Sequence, residues 1–212
     1  MEFTNEQLER YSRHLILKEI GAEGQKKLCA GSVLVAGSGG PGVFAAAMYL
    51  AGAGVGRIGL AGSAKALAKP VKALNPDVEV ILCGGSAGSR GPGEPSAGLS
   101  AELLEGLSAE IPQDLSPDLP EGLPAILAET VKDYDFVIDC GPSCAAGNVA
   151  GFAVNDACAA AGKPFVHAEK ERLKGRLVTV IPGESPCLRC VFRNLMPLEA
   201  AAPVFSEPAA EE

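Results

Sequence analysis

Tryptophan is absent from this 212-residue chain, and aromatic residues make up only 5% of it. Any core must therefore be packed from small and aliphatic side chains, chiefly Ala, Val, Leu and Gly. Hydrophobic residues reach 47%, enough to build such a core and to exclude a wholly disordered chain. The length suits one domain of ordinary size. Basic residues are also scarce: 18 Lys and Arg face 26 Asp and Glu, for a net charge of −8 and an isoelectric point near 4.9. That balance argues against nucleic acid and anionic membrane as partners, because both are polyanions. The N-terminal stretch 1–20 is polar and charged and lacks a basic-then-apolar signal pattern. Seven cysteines then read as reduced thiols or metal ligands of a cytoplasmic protein, not as a disulfide framework. Leu28 to Gly56 carries no charge and is long enough to mimic a membrane span. The run Gly37-Ser38-Gly39-Gly40-Pro41-Gly42 breaks it, and a lipid-embedded helix broken there would strand backbone polar groups. No membrane contact is expected.

What the chain does have is glycine and proline, 26 and 16 residues, and they are unevenly spread. Residues 84–124 hold 8 Gly and 6 Pro, the composition of a flexible insertion. Around it the pattern is regular. Thr4 and Gln7 form a capping-box signature opening a helix to about Leu17, and Ala22–Ala30 reads as a second helix stopped by Gly31. Short apolar runs at 32–36, 57–61, 78–82, 136–139, 165–167 and 177–181 have the length and β-branched content of buried strands. Between them lie a helix from Pro41 through Ala53, one over 63–74 bent or shortened by Pro70, one ending at Tyr134, and a small-residue helix before 165. The alternation predicts an α/β fold, a Rossmann-like doubly wound, mainly parallel sheet with helices on both faces. The expected organisation is an N-terminal helical arm (1–31), a glycine-loop half (32–83), the insertion (84–124), a second α/β half with a CxxC pair (125–193), and an acidic tail (194–212).

The glycine loop sits between a strand and a helix, the context in which glycines let a phosphate approach the helix N-terminus. A purely structural strand–helix turn explains the same residues. The usual companion is a carboxylate ending the second strand, to bind the ribose hydroxyls. Here that strand ends Leu60-Ala61-Gly62-Ser63. Losing charged hydrogen bonds of about 1.5–3 kcal/mol each weakens nucleotide affinity by roughly a hundredfold, which counts against a nicotinamide-dependent dehydrogenase.

Several segments in order then resemble the ThiF/MoeB/HesA family, bacterial relatives of ubiquitin-activating enzymes. They are Arg10-Tyr11-Ser12-Arg13-His14, Ile20-Gly21 with Gly24-Gln25, the glycine loop, Tyr49-Leu50 with Ala53-Gly54-Val55-Gly56, and Leu74-Asn75-Pro76. The likeness continues through Tyr134-Asp135 with Val137, Asp139-Cys140, Val154-Asn155-Asp156-Ala157-Cys158, Gly162-Lys163-Pro164, Gly175 with Val178-Thr179-Val180, and Pro186-Cys187-x-x-Cys190. The resemblance implies ATP- and magnesium-dependent adenylation of the C-terminal glycine of a ubiquitin-like sulfur-carrier protein. It also implies a homodimer, or a heterodimer with a family member. By position, Gly37, Gly39, Gly40 and Gly42 would line the nucleotide. Arg13 would be the arginine that reaches the partner subunit's phosphates, a role suited to its fixed charge and forked donors; an exposed helix charge is the plain alternative. Lys65 or Lys69 stands nearest to the family's phosphate-binding lysine, or is a solvated helix lysine.

The departures from the family pattern matter as much. The acidic end of the second strand and an arginine-bearing stretch after it are missing. Gly141-Pro142-Ser143 replaces the segment in which the family carries a magnesium-holding aspartate. ATP binding is therefore expected to be weak or lost, and magnesium not to be held. Cys187 and Cys190 match one half of the family's structural zinc site, and the second pair is not in this sequence. Three outcomes stay open: two thiols without metal, a zinc completed by another subunit or by Cys140, Cys144 or His167, and a redox dithiol. Cys29, Cys83 and Cys158 read as small buried residues, and His14 and His167 as isolated local hydrogen-bonders. The expected function is an accessory or binding subunit in carrier adenylation, impaired in catalysis. The alternatives are a working adenylyltransferase, with carboxylates supplied by Glu94 or Glu102, and a non-catalytic nucleotide-binding module.

Overall fold

The computed structural model of the chain describes residues 3–37, 41–61, 67–83, 123–141, 152–171 and 174–192. The expected insertion and acidic tail lie almost wholly outside these residues. The arm begins with the expected capping box: Thr4 Oγ1 accepts from Gln7 N at 3.2 Å and Gln7 Oε1 accepts from Thr4 N at 3.1 Å. One helix to Leu17 was expected. Instead α1 (Asn5–Arg10) and α2 (Ser12–Leu15) are separated at Tyr11, whose backbone (φ −97°, ψ 9°) leaves the helix. Tertiary packing decides this. The Tyr11 ring is 2% exposed, and its hydroxyl accepts a 2.9 Å bond from Asn75 Nδ2.

α3 (Gly21–Ala30) delivers the chain to β1 (Ser32–Gly37), and α4 (Pro41–Ala53) crosses to β2 (Arg57–Ala61). Then come α5 (Ala68–Leu74), β3 (Glu79–Cys83), α6 (Leu123–Lys132), β4 (Phe136–Cys140), α7 (Ala153–Ala161), β5 (Phe165–Glu171), β6 (Lys174–Val180) and α8 (Leu188–Val191). Of the helix expected over 63–74, the described part starts only at Ala68, which puts Pro70 in the first turn where its missing N–H costs nothing. β5 runs four residues past the expected His167, because Ala168 to Glu171 pair across the hairpin with Leu177 to Lys174.

Among the described residues the sheet is six-stranded, in the order β3-β2-β1-β4-β5-β6, parallel except for β5 and β6. Alternation along each strand divides the core in two. Val33, Val35, Ile58 and Leu60 meet Val43, Ala47 and Ala51 of α4 and Val71 of α5 on one face. Leu34, Ala36, Val137 and Phe165 meet Leu127 and Val131 of α6 and Ala153 and Ala157 of α7 on the other. Helices thus cover both faces, as the alternating pattern predicts. α4 is closed by Gly54 at φ +81°, where a Cβ would lie 2.6 Å from both Gln25 Nε2 and Tyr11 Cε1. Only glycine joins the arm to the core so closely.

Candidate functional site

Strands β1 and β4 are neighbours, yet the chain leaves them in opposite directions, toward β2 and toward β5. The carboxyl ends of two such strands frame the crevice in which open α/β sheets take ligands. Gly37 ends β1 and pairs with Cys140 of β4. A Cβ on Gly37 would sit 2.7 Å from Val43 Cγ2 and 3.0 Å from the Cys140 carbonyl oxygen, so the strand end tolerates no side chain. Gly42, in the first turn of α4, is exposed, and the nearest atoms to a Cβ there, those of the Cys140 side chain, are 4.0 Å away. It lies at the N-terminus of a thirteen-residue helix, whose first N–H groups have no partners within the helix, the kind of end that receives phosphates. Cys140 is half-buried at the floor of this crevice, and burial, with the neighbouring Asp139 charge, pushes its thiol up to about 11.

On the opposite sheet face, four polar side chains form a row across β4, β5 and β6. Asp139 Oδ2 lies 2.7 Å from His167 Nδ1, and His167 Nε2 is 3.6 Å from Glu169 Oε2. Glu169 Oε1 meets Arg176 Nη1 at 2.5 Å. Register explains the row: Asp139 pairs with His167 and Glu169 with Arg176. The other Asp139 oxygen, Oδ1, accepts 2.9 Å from Gly141 N, which turns the chain out of the strand. His167 was expected to be isolated. It is a hydrogen-bonder, but it stands fully buried between two carboxylates. One signal was present in the sequence: His167 and Glu169 are two apart, hence on one face of a strand.

The predicted residues divide by place. Gly37 and Gly42 lie at the crevice, whereas Gly39, Gly40 and Lys65 lie outside the described residues. Lys69 is exposed on α5. Arg13 is exposed on α2, two residues from the buried Tyr11 anchor. His14 Nδ1 is 2.8 Å from Gln25 Oε1, the local bond expected of it. Cys83 and Cys158 are buried as expected, but Cys29 is only half-buried, its sulfur 3.7 Å from Gln25 Nε2.

Cys187 and Cys190 are brought together, Sγ to Sγ 3.6 Å, by the single turn of α8. Two thiolates at about 2.3 Å on a tetrahedral zinc would be separated by ~3.8 Å, so the pair fits half of such a site. Among the described residues no third His, Cys, Asp or Glu gathers with them, so neither Cys140 nor His167 completes it. Asn155 and Asp156 of α7 hold that turn in place. Asn155 Oδ1 accepts from Leu188 N at 2.8 Å, and Asp156 takes Arg189 through both oxygens at 2.8 and 2.6 Å. The Arg189 guanidinium lies 5.1 Å over the Phe152 ring.

The sequence profile of the ThiF family matches residues 11–64 and 62–206 of this chain. Among curated relatives, the adenylyltransferase and sulfurtransferase MOCS3 of Bos taurus is 35% identical over 199 residues, 92% of this chain and 39% of the relative. MOCS3 of Mus musculus is 36% identical over 202 residues, with the same two coverages. The chain thus spans about two-fifths of the length of these relatives. Among solved structures, PaaA aligns with a TM-score of 0.58 at 17% identity, over 88% of this chain and 58% of that one. MccB of E. coli, solved with ATP, aligns with a TM-score of 0.55 at 17% identity, over 89% and 52%. At that identity the likeness speaks for the fold. Among the described residues no helix is long and apolar enough to cross a membrane.

Proposed function

This chain belongs to the ThiF family, and from that premise we propose that it serves the ATP-dependent adenylation of a ubiquitin-like sulfur-carrier protein as an accessory or binding subunit, with a weakened nucleotide site and impaired in the chemical step. The relatives named adenylyltransferase support the reaction class, and the exposed Gly42 in the first turn of α4 supports a bound phosphate. The observation that carries the impairment is the use of Asp139. It is the one carboxylate at the described carboxyl ends of β1 to β4, and both its oxygens are engaged inside the protein, by His167 and by the Gly141 N–H.

Magnesium takes six oxygen ligands in a near-octahedral shell and gives up its water reluctantly. A carboxylate turned away from the crevice and already bonded twice does not fit that demand. No cluster of three or more possible metal ligands occurs among the described residues. The chain's own contribution is to receive phosphate on backbone N–H groups and to present Arg13 from the arm. Because Arg13 is exposed, its proposed target is the phosphate group of a second subunit. The outer face of α4 supports such pairing. Tyr49, on the side of α4 away from the core residues Val43, Ala47 and Ala51, is 82% exposed on a helix without a single charge, a side chain that gains by covering in a protein contact.

Carrier-dependent exchange of pyrophosphate into ATP, measured beside ATP binding by calorimetry, tests the reading. Weak ATP binding with little or no exchange by this chain alone is the expected result; tight binding without exchange would favour the non-catalytic nucleotide-binding module. Robust exchange by the isolated chain would reject it in favour of a working adenylyltransferase.

A further inference from the structure

That reading uses the bond from Asp139 to His167 but not the rest of the row, His167–Glu169–Arg176, and the charges of the four described side chains do not balance unless the imidazole is charged. Two carboxylates with side chains 3% and 7% exposed face one ring that is wholly buried. The one guanidinium shown beside them among the described residues, Arg176, is 48% exposed, pairs with Glu169 and lies 5.2 Å over the Phe192 ring. A buried carboxylate without a compensating charge costs several kcal/mol, so with a neutral ring the row would carry a net negative charge that no other described side chain shown against it offsets. The other ionisable groups around the ring among the described residues do not supply a cation. The Cys158 thiol on α7 is pushed up to about 12 by burial and by the Asp139 charge, and Asp156 is taken by Arg189. A neutral ring also carries only one N–H, and would turn a lone pair toward one of the carboxylates.

We infer that His167 is an imidazolium in the native protein and acts as a positioning residue, holding Asp139 so that its second oxygen fixes the turn at Gly141 beside the crevice. The link to the site is direct. Ala36 pairs with Asp139 and Gly37 with Cys140, so the turn that Asp139 caps emerges next to the strand end that starts the glycine loop. With its Oδ2 held by the ring, Asp139 cannot swing toward a ligand, and its backbone stays in register with β1. This inference rests on the nucleotide-binding reading for its effect on the crevice, and on geometry alone for the protonation state.

The test uses the full chain with ¹⁵N-labelled histidine. Long-range ¹H–¹⁵N spectra distinguish a doubly protonated ring from either neutral tautomer, and His14→Gln assigns the two signals. At pH 8 an ordinary histidine is only ~3% protonated. His167 is expected to show the imidazolium pattern there; a neutral pattern in the wild-type protein overturns the inference outright. Glu169→Gln removes one negative charge, so the ring is expected to become neutral at pH 8 and to recover its proton at pH 6. ATP affinity, titrated without added metal, should fall several-fold in that variant at pH 8 and approach wild type at pH 6. A merely structural loss would weaken binding equally at both. Affinity unchanged at pH 8 overturns the positioning role, and if the variant does not fold, the wild-type spectrum still decides the protonation state. Failure of the wild-type chain to bind ATP would sink the proposed function and leave the histidine result standing.

Discussion

Asn75 offers the sharpest mechanical prediction, because one buried amide ties the arm that carries Arg13 to the core. Its side chain is fully buried. Nδ2 donates to the Tyr11 hydroxyl at 2.9 Å and to the Ala51 carbonyl at 2.8 Å, and Oδ1 accepts from Asp77 N at 3.2 Å. Asn75→Ala leaves the Tyr11 hydroxyl and the Ala51 carbonyl without this partner in a site closed to water. An unsatisfied buried group costs about 1–3 kcal/mol, so the pair predicts a loss of about 2–4 kcal/mol. For a chain of this size that lowers the melting temperature by roughly 5–15 °C. Tyr11→Phe alone should cost only about 1 kcal/mol, since Asn75 keeps its bond to Ala51. In the Asn75→Ala background the same change should instead recover stability, because it deletes a hydroxyl already left stranded. Urea unfolding of the four proteins measures the coupling, and amide exchange should accelerate first in residues 5–30. A loss below about 1 kcal/mol for Asn75→Ala, or strict additivity of the two changes, refutes the reasoning.

Two further predictions rest on separate observations. At Gly59 a Cβ would stand 2.3 Å from the Tyr134 hydroxyl and 2.4 Å from its Cζ, both beneath β2. Gly59→Ala should therefore destabilise by about 1–3 kcal/mol through overpacking, and an unchanged melting temperature would contradict this. Cys140, with its thiol raised to about 11 by burial and Asp139, is only about one-thousandth thiolate at pH 8. Iodoacetamide followed by peptide mass spectrometry should label it slowly, about tenfold faster for each pH unit up to 10, with Cys158 slower still. Labelling at the rate of an ordinary thiol at pH 8 would show that the crevice floor is open.

Much of the fold was legible because its signals are local. The apolar runs gave the strands, the Thr4–Gln7 pair gave the first cap, and strand–helix alternation gave a doubly wound sheet. The glycine loop was legible as a place, since a strand ending in glycine and a helix beginning at Pro41 are both written in adjacent residues. Elements failed where distant contacts overruled local preference. The arm helix breaks at Tyr11 because Asn75, 64 residues away, holds its hydroxyl. β5 extends past His167 because a hairpin partner continues to pair with it.

The site divides in the same way. Which residue types are present, and which carboxylates the family pattern lacks, is fixed by the chain's chemistry before it folds. Only the folded sheet decides that Asp139 spends both oxygens internally. The reason is register: parallel pairing sets Asp139 against His167 across 28 residues of chain, and the hairpin sets Glu169 against Arg176. Hydrogen bonding between strands, not adjacency along them, brings those four charges into one row. A linear pattern carries no record of which strands will lie side by side.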